Sequence, residues 1–118
     1  MLVADDSMTI LAMVSSRLER AGYDVVTTTR GDEALRLAQE LRPRLVVLDL
    51  EMPGLSGIEV AQRLRADQSL AGILIILLTA HTDADLVARA MAAGADDYLT
   101  KPFSPQALQT RIEQLLGR

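Results

Sequence analysis

Asp5 and Asp6, Asp49, Thr79 and Lys101 stand directly after short aliphatic runs of the chain. If the fold brings those run ends together, three carboxylates meet at one point and repel one another, so either one stays protonated or a cation sits among them. The cation is the simpler answer. Hard oxygen ligands with no His or Cys favour Mg²⁺, with Mn²⁺ as the alternative. A carboxylate beside such a cation, with an ammonium and a hydroxyl in reach, is equipped to accept a phosphoryl group: the positive charges neutralise the transferring oxygens while the carboxylate attacks in line. Each residue alone has a plainer reading, as a loop or cap pair (Asp5-Asp6), a turn residue (Asp49), a helix cap (Thr79) or a solvated charge (Lys101). Their joint arrangement, one element per run end, is what points to a site.

Short aliphatic runs alternate with longer stretches that carry a helical stripe, the pattern of repeated βα units around a mostly parallel sheet. The spacing predicts strands over Met1 to Ala4, Tyr23 to Thr28, Leu45 to Leu48, Ile73 to Leu78 and Asp97 to Thr100. The third and fourth are almost wholly aliphatic, as central strands covered on both faces are, and the second, ending in threonines, reads as an edge. Helices are predicted from Met8 to Ala21, from Gly31-Asp32 to Leu41, over Ser56 to Ala66 and Asp83 to Ala93, and from Ser104 with Pro105 in its first turn. In an open parallel sheet the carboxyl ends of the strands form one rim where ligands bind, so all five chemical positions belong to the same rim. Residues 1–118 form one domain with no linker or repeat. The short first strand reads as a chain trimmed from, or continuing, a larger protein.

A chain of 118 residues with no cysteine needs no disulfide and is compatible with a reducing cytoplasm. The longest aliphatic run, Ile73 to Leu78, is far short of the ~20 residues that span a bilayer, so no membrane segment is expected. A net charge of −4 and an aromatic content of 3% oppose direct nucleic-acid binding, which rests on Lys and Arg releasing counterions and on base stacking.

The segments Asp5-Asp6-Ser7, Asp49-Leu50-Glu51-Met52-Pro53-Gly54-Leu55-Ser56-Gly57, Leu78-Thr79-Ala80 and Asp96-Asp97-Tyr98-Leu99-Thr100-Lys101-Pro102-Phe103 together resemble the hallmark segments of the response-regulator receiver family, over essentially the whole chain. The resemblance implies a flavodoxin-like α/β fold with a five-stranded parallel sheet in the order 2-1-3-4-5 and helices on both faces. It implies that Asp49 accepts phosphoryl from a histidine kinase or a histidine phosphotransfer protein. Asp6 and Asp49 would ligate Mg²⁺, Glu51 through its backbone carbonyl and Asp5 through water, while Lys101 pairs with a phosphoryl oxygen and the Lys101–Pro102 bond is cis. Thr79 and Tyr98 would form a switch that reshapes the surface of helix four, strand five and helix five, the surface through which a homodimer is expected. Glu51 and His81 would tune the phosphoryl lifetime, and Ile10, Met13, Pro102 and Phe103 would dock the phosphodonor.

Two other readings compete. A receiver-like module that no longer accepts phosphate would lack part of the acid, threonine and lysine set, and none is missing. A stand-alone enzyme on the same fold would need an Asp-x-Asp pair directly after an aliphatic run, where this chain has Asp49-Leu50-Glu51, or a phosphate-cradling glycine loop after the first run. Neither stands there, and Asp83-Ala84-Asp85 falls at the start of a predicted helix. Ala107 stands where an acidic partner is often found on helix five, which bears on dimer contacts.

Overall fold

The computed structural model describes residues 1–80 and 83–117. Its elements, in chain order, are β1 (Leu2–Ala4), α1 (Met8–Arg20), β2 (Val26–Thr28), α2 (Gly31–Leu41), β3 (Leu45–Asp49), α3 (Gly57–Ala66), β4 (Leu74–Thr79), α4 (Ala84–Ala92), β5 (Asp97–Thr100) and α5 (Pro105–Leu116). The strands pair in parallel in the order β2-β1-β3-β4-β5, as expected. β3 is buried throughout and β4 is buried from Ile75 onward, because helices cover both faces of the sheet centre.

Alternation along the strands divides the core in two. Leu2, Ala4, Val46, Leu48, Ile75 and Leu77 point to the face covered by Ala34 and Ala38 of α2, Val60, Ala61 and Leu64 of α3, and Ala90 of α4. Val3, Leu45, Val47, Ile76 and Leu78 point to the other face, against Leu11, Val14 and Leu18 of α1 and Leu108 and Ile112 of α5.

The helix starts are set by caps. Ser7 Oγ accepts from the Ile10 amide at 3.2 Å, and Ser104 Oγ accepts from Ala107 at 3.0 Å with Pro105 in the first turn. At α3, Ser56 Oγ accepts from the Glu59 amide at 3.1 Å and Glu59 Oε1 accepts from the Ser56 amide at 3.1 Å, a reciprocal capping box. Ser56 thus precedes α3 as its cap. Ser56→Ala should cost about 1 kcal/mol in urea-unfolding free energy; an unchanged midpoint would mean that the α3 start draws no stability from the cap.

Several boundaries differ from expectation by a residue or more. β2 begins at Val26, not Tyr23, because the Tyr23 amide still donates to Leu18 in the terminal turn of α1 at 3.1 Å. β3 and β4 each run one residue further, so Asp49 and Thr79 are the last residues of their strands and not the first residues after them. The ladder explains the extension: Asp49 is in register with Leu78, and Thr79 with Thr100. Both side chains are therefore anchored by strand backbone.

Candidate phosphoryl-acceptor site

β1, β3, β4 and β5 deliver their carboxyl-terminal residues to one rim. Asp5 follows β1, its amide still donating to Thr28 at 3.1 Å, and is fully buried. Its Oδ1 accepts from the Ser7 amide at 2.9 Å, which fixes the carboxylate. Asp6 next to it is exposed. Asp49 is 5% and Thr79 4% exposed, while Lys101 follows β5 with its amide donating to Thr79 at 2.6 Å. The Lys101–Pro102 bond is cis, as expected from the resemblance. Gly57 permits the close approach of α3 to this rim: a Cβ there would collide with the Asp49 carbonyl oxygen and lie 3.0 Å from its carbon.

The Lys101 ammonium lies 2.8 Å from Asp5 Oδ2 and 3.1 Å from Asp49 Oδ2. Burial alone would lower its pKa, but the two carboxylates outweigh burial and raise it, so the charge is held. Burial pushes Asp49 up to about 6; the Asp5 charge adds to the rise and Lys101 opposes it. Asp49 is thus a carboxylate that one nearby cation does not fully neutralise.

Carboxylate oxygens of Asp5, Asp6 and Asp49 all lie within 4.8 Å of one another. Asp5 Oδ2 is sealed from solvent and receives no aligned hydrogen bond, although Lys101 pairs with it ionically. An all-oxygen donor set with surplus negative charge, open to solvent at Asp6, fits a small hard divalent cation that keeps part of its water shell.

Asp6, Asp49, Glu51, Thr79 and Lys101 line one cavity of about 130 Å³. Leu50 and Ala80, which lie within the hallmark segments but carried no assigned role, complete its wall. Ala80 follows the predicted threonine directly, so its small side chain was the available signal. Glu51 is exposed at the lip. Tyr98 does not line this cavity; it is half-buried on β5 against the core of the α2–α4 face. Ile10, Met13, Pro102 and Phe103 line a separate apolar cavity of about 310 Å³ that shares Lys101 with the site. His81 lies outside the described residues.

This rim lies at the reversal of strand order in a parallel sheet, the place where ligands of such sheets bind. A family profile for the response regulator receiver domain matches residues 1–113, and the chain belongs to that family. It is 43% identical over 117 residues, 99% of its length, to the alkaline phosphatase synthesis transcriptional regulatory protein PhoP of Bacillus subtilis, of which the match covers 48%. The chain spans about half the length of the curated relatives it matches. Among solved structures, the chemotaxis response regulator CheY4 of Vibrio cholerae aligns with a TM-score of 0.91 and 35% identity over 97% of this chain and 95% of that one. The receiver domain of sensor histidine kinase PA1611 of Pseudomonas aeruginosa, which holds a magnesium ion coordinated in its active site cleft, aligns at 0.89 and 28% identity over 99% of this chain and 96% of that one.

No helix among the described residues is long and apolar enough to cross a membrane.

Proposed function

We propose that Asp49 takes phosphoryl from a phosphohistidine of a histidine kinase or histidine phosphotransfer protein. The observation that carries this is the Asp49 carboxylate at the rim, 3.1 Å from the Lys101 ammonium and within the acid cluster. A carboxylate oxygen of Asp49 forms the O–P bond while the P–N bond to the donor imidazole breaks, and the imidazole nitrogen keeps the electron pair. Lys101 is placed to exchange part of its contact with Asp49 for a transferring phosphoryl oxygen. Asp6, Asp49 and the Glu51 backbone carbonyl would hold Mg²⁺, or Mn²⁺ in its place, with Asp5 acting through water because both its oxygens already face Ser7 and Lys101. When bound, the cation supplies charge neutralisation for the phosphoryl oxygens.

In this reading the Thr79 hydroxyl turns to the phosphoryl group and Tyr98 moves inward in response. Nearly two added negative charges bias the surface of α4, β5 and α5. A homodimer would use the same surface, where Arg111 now pairs with Asp97 of its own chain at 2.7 Å. Ile10, Met13, Pro102 and Phe103 would receive the phosphodonor: Met13 is 40% exposed and the four residues wall an apolar hollow beside Lys101. Glu51 at the lip, and His81, would set the lifetime of the acyl phosphate. The domain is a cytoplasmic signalling acceptor that assists its own phosphorylation and dephosphorylation and is not a stand-alone enzyme. Output, including any DNA contact, belongs to other parts of the protein or to a partner, because the net charge of −4 disfavours a phosphate backbone.

Incubation with acetyl phosphate, followed by intact mass, should give one adduct that requires Mg²⁺ and is released by hydroxylamine, the behaviour of an acyl phosphate. An adduct that survives hydroxylamine would place the phosphoryl group elsewhere. Asp6→Ala should weaken Mg²⁺ binding by about tenfold or more and slow labelling in proportion; unchanged Mg²⁺ titration would remove Asp6 from the ligand set.

A further inference from the structure

α4 is the helix with the fewest buried residues, and its grip on the core is graded along its length. Ala84 and Asp85 are exposed, Leu86 and Val87 are half-buried, and Ala90 alone is buried within the helix, followed by buried Ala93 and Ala95. Beyond its end, one side chain from α3 fastens the α4–β5 turn. Arg65 Nε donates to the Gly94 carbonyl at 2.9 Å, and Nη2 pairs with Asp96 Oδ2 at 2.9 Å. Arg65 Nη1 donates to the carbonyls of Ala71 at 2.9 Å and Ile73 at 2.6 Å, in the connection from α3 to β4. The loop is closed from the other side, where Asp96 Oδ2 also accepts from the Ile75 amide at 2.8 Å and the Asp96 amide donates to Ile75 at 2.8 Å. Gly94, at φ +104°, lies so close against the Arg65 stem that a Cβ would collide with it.

One guanidinium thus joins the end of α3, the approach to β4 and the turn into β5, each contact satisfying a backbone or carboxylate acceptor. We infer that Arg65 is the fixed pivot of α4: the helix responds to the site by swinging its amino-terminal half about a clamped carboxyl-terminal end, and not by sliding as a whole. The swing moves Leu86 relative to Tyr98, since both pack on the same core cluster. It leaves Gly94 to Asp96 in place. This deepens the switch reading above and rests on it for the trigger, but the clamp itself is a property of the unphosphorylated chain.

The test is amide hydrogen exchange of the whole chain, read residue by residue, before and after addition of Mg²⁺ and beryllium fluoride as a phosphoryl stand-in. In the resting chain, amides of Val87 and Ala88 should exchange at least ~10-fold faster than those of Ala93, Ala95 and Asp96. The stand-in should change exchange in the first group and leave the second within about twofold. Arg65→Gln should speed exchange at residues 93–96 by at least ~10-fold and extend the stand-in's effect to them, while the rate of acetyl phosphate labelling stays at the parent value. Arg65→Lys, which keeps a charge but loses the fork, should fall between. Uniform exchange along α4 in the parent, or residues 93–96 unaffected in both variants, would overturn the pivot. Loss of labelling in the parent would instead overturn the phosphoacceptor reading while leaving the resting gradient intact, so the two failures are distinct.

Discussion

Asp49→Asn should show no phosphoryl adduct under conditions that label the parent fully, a loss of at least ~10²-fold, because the amide removes the nucleophilic oxygen charge while keeping size and strand register. Asp5 and Asp6 do not substitute for it. Asp5 is sealed beneath the rim with its oxygens facing the Ser7 amide and Lys101, and Asp6 is exposed at the mouth without the lysine contact that Asp49 has. Intact mass decides the matter: an adduct on the Asn variant at parental yield would move the acceptor to another residue and undo the assignment.

The same residue should govern stability in the metal-free state. The folded protein raises the Asp49 pKa from 3.8 to about 6, mainly through burial, so folding favours the protonated form. Below pH ~4 the group is protonated in both folded and unfolded chains and its favourable contribution is fully present. As pH rises from about 4 to 6 the unfolded chain releases its proton first and that contribution is lost. The full shift corresponds to roughly 3 kcal/mol, and screening in ordinary buffer leaves about 1–2 kcal/mol. Exposed carboxylates act in the opposite sense. Asp32, beside Arg30, Glu59, in the α3 capping box, and Asp67, bonded to Ser69, all lie below their usual values. Their contributions are present above the ordinary carboxylate range and fade as pH falls through it. The chain in chelator should therefore be most stable near pH 4–5 and weaker at pH 7.5. Urea unfolding at the two pH values, repeated with Asp49→Asn, tests this. The variant should be more stable than the parent at pH 7.5 in chelator, by about 1–2 kcal/mol in unfolding free energy, and should lack the fall between pH 4 and 6. Matching pH profiles for the two proteins would show that Asp49 carries no such burden.

Much of this was readable in the chain itself. Aliphatic runs flanked by helical stripes gave the element order, and the acid, threonine and lysine positions fell at run ends because a parallel sheet collects those ends at one rim. What escaped was set by partners distant in sequence. Asp5 and Asp6 are identical neighbours, yet one is fully buried and the other exposed, with Lys101 arriving from the last strand to pair with the buried one. The extra residue at the ends of β3 and β4 depends on pairing with the next strand, which no local propensity encodes. Arg65 was invisible for a related reason. Most of its acceptors are main-chain carbonyls, and a carbonyl has no signature in the residue type that carries it.

The division of the core by the sheet has a consequence for how such a domain can diverge. The hollow formed by Ile10, Met13, Pro102 and Phe103 borders the α1–α5 layer, whereas Leu86 and Tyr98 rest on the opposite layer. If the hollow receives the phosphodonor and the opposite layer carries the switch, as proposed, substitutions that retune which donor is welcomed can accumulate on one side without repacking the side that reports the signal. A lineage can exchange its upstream partner while its downstream message stays the same, and the reverse exchange is equally open.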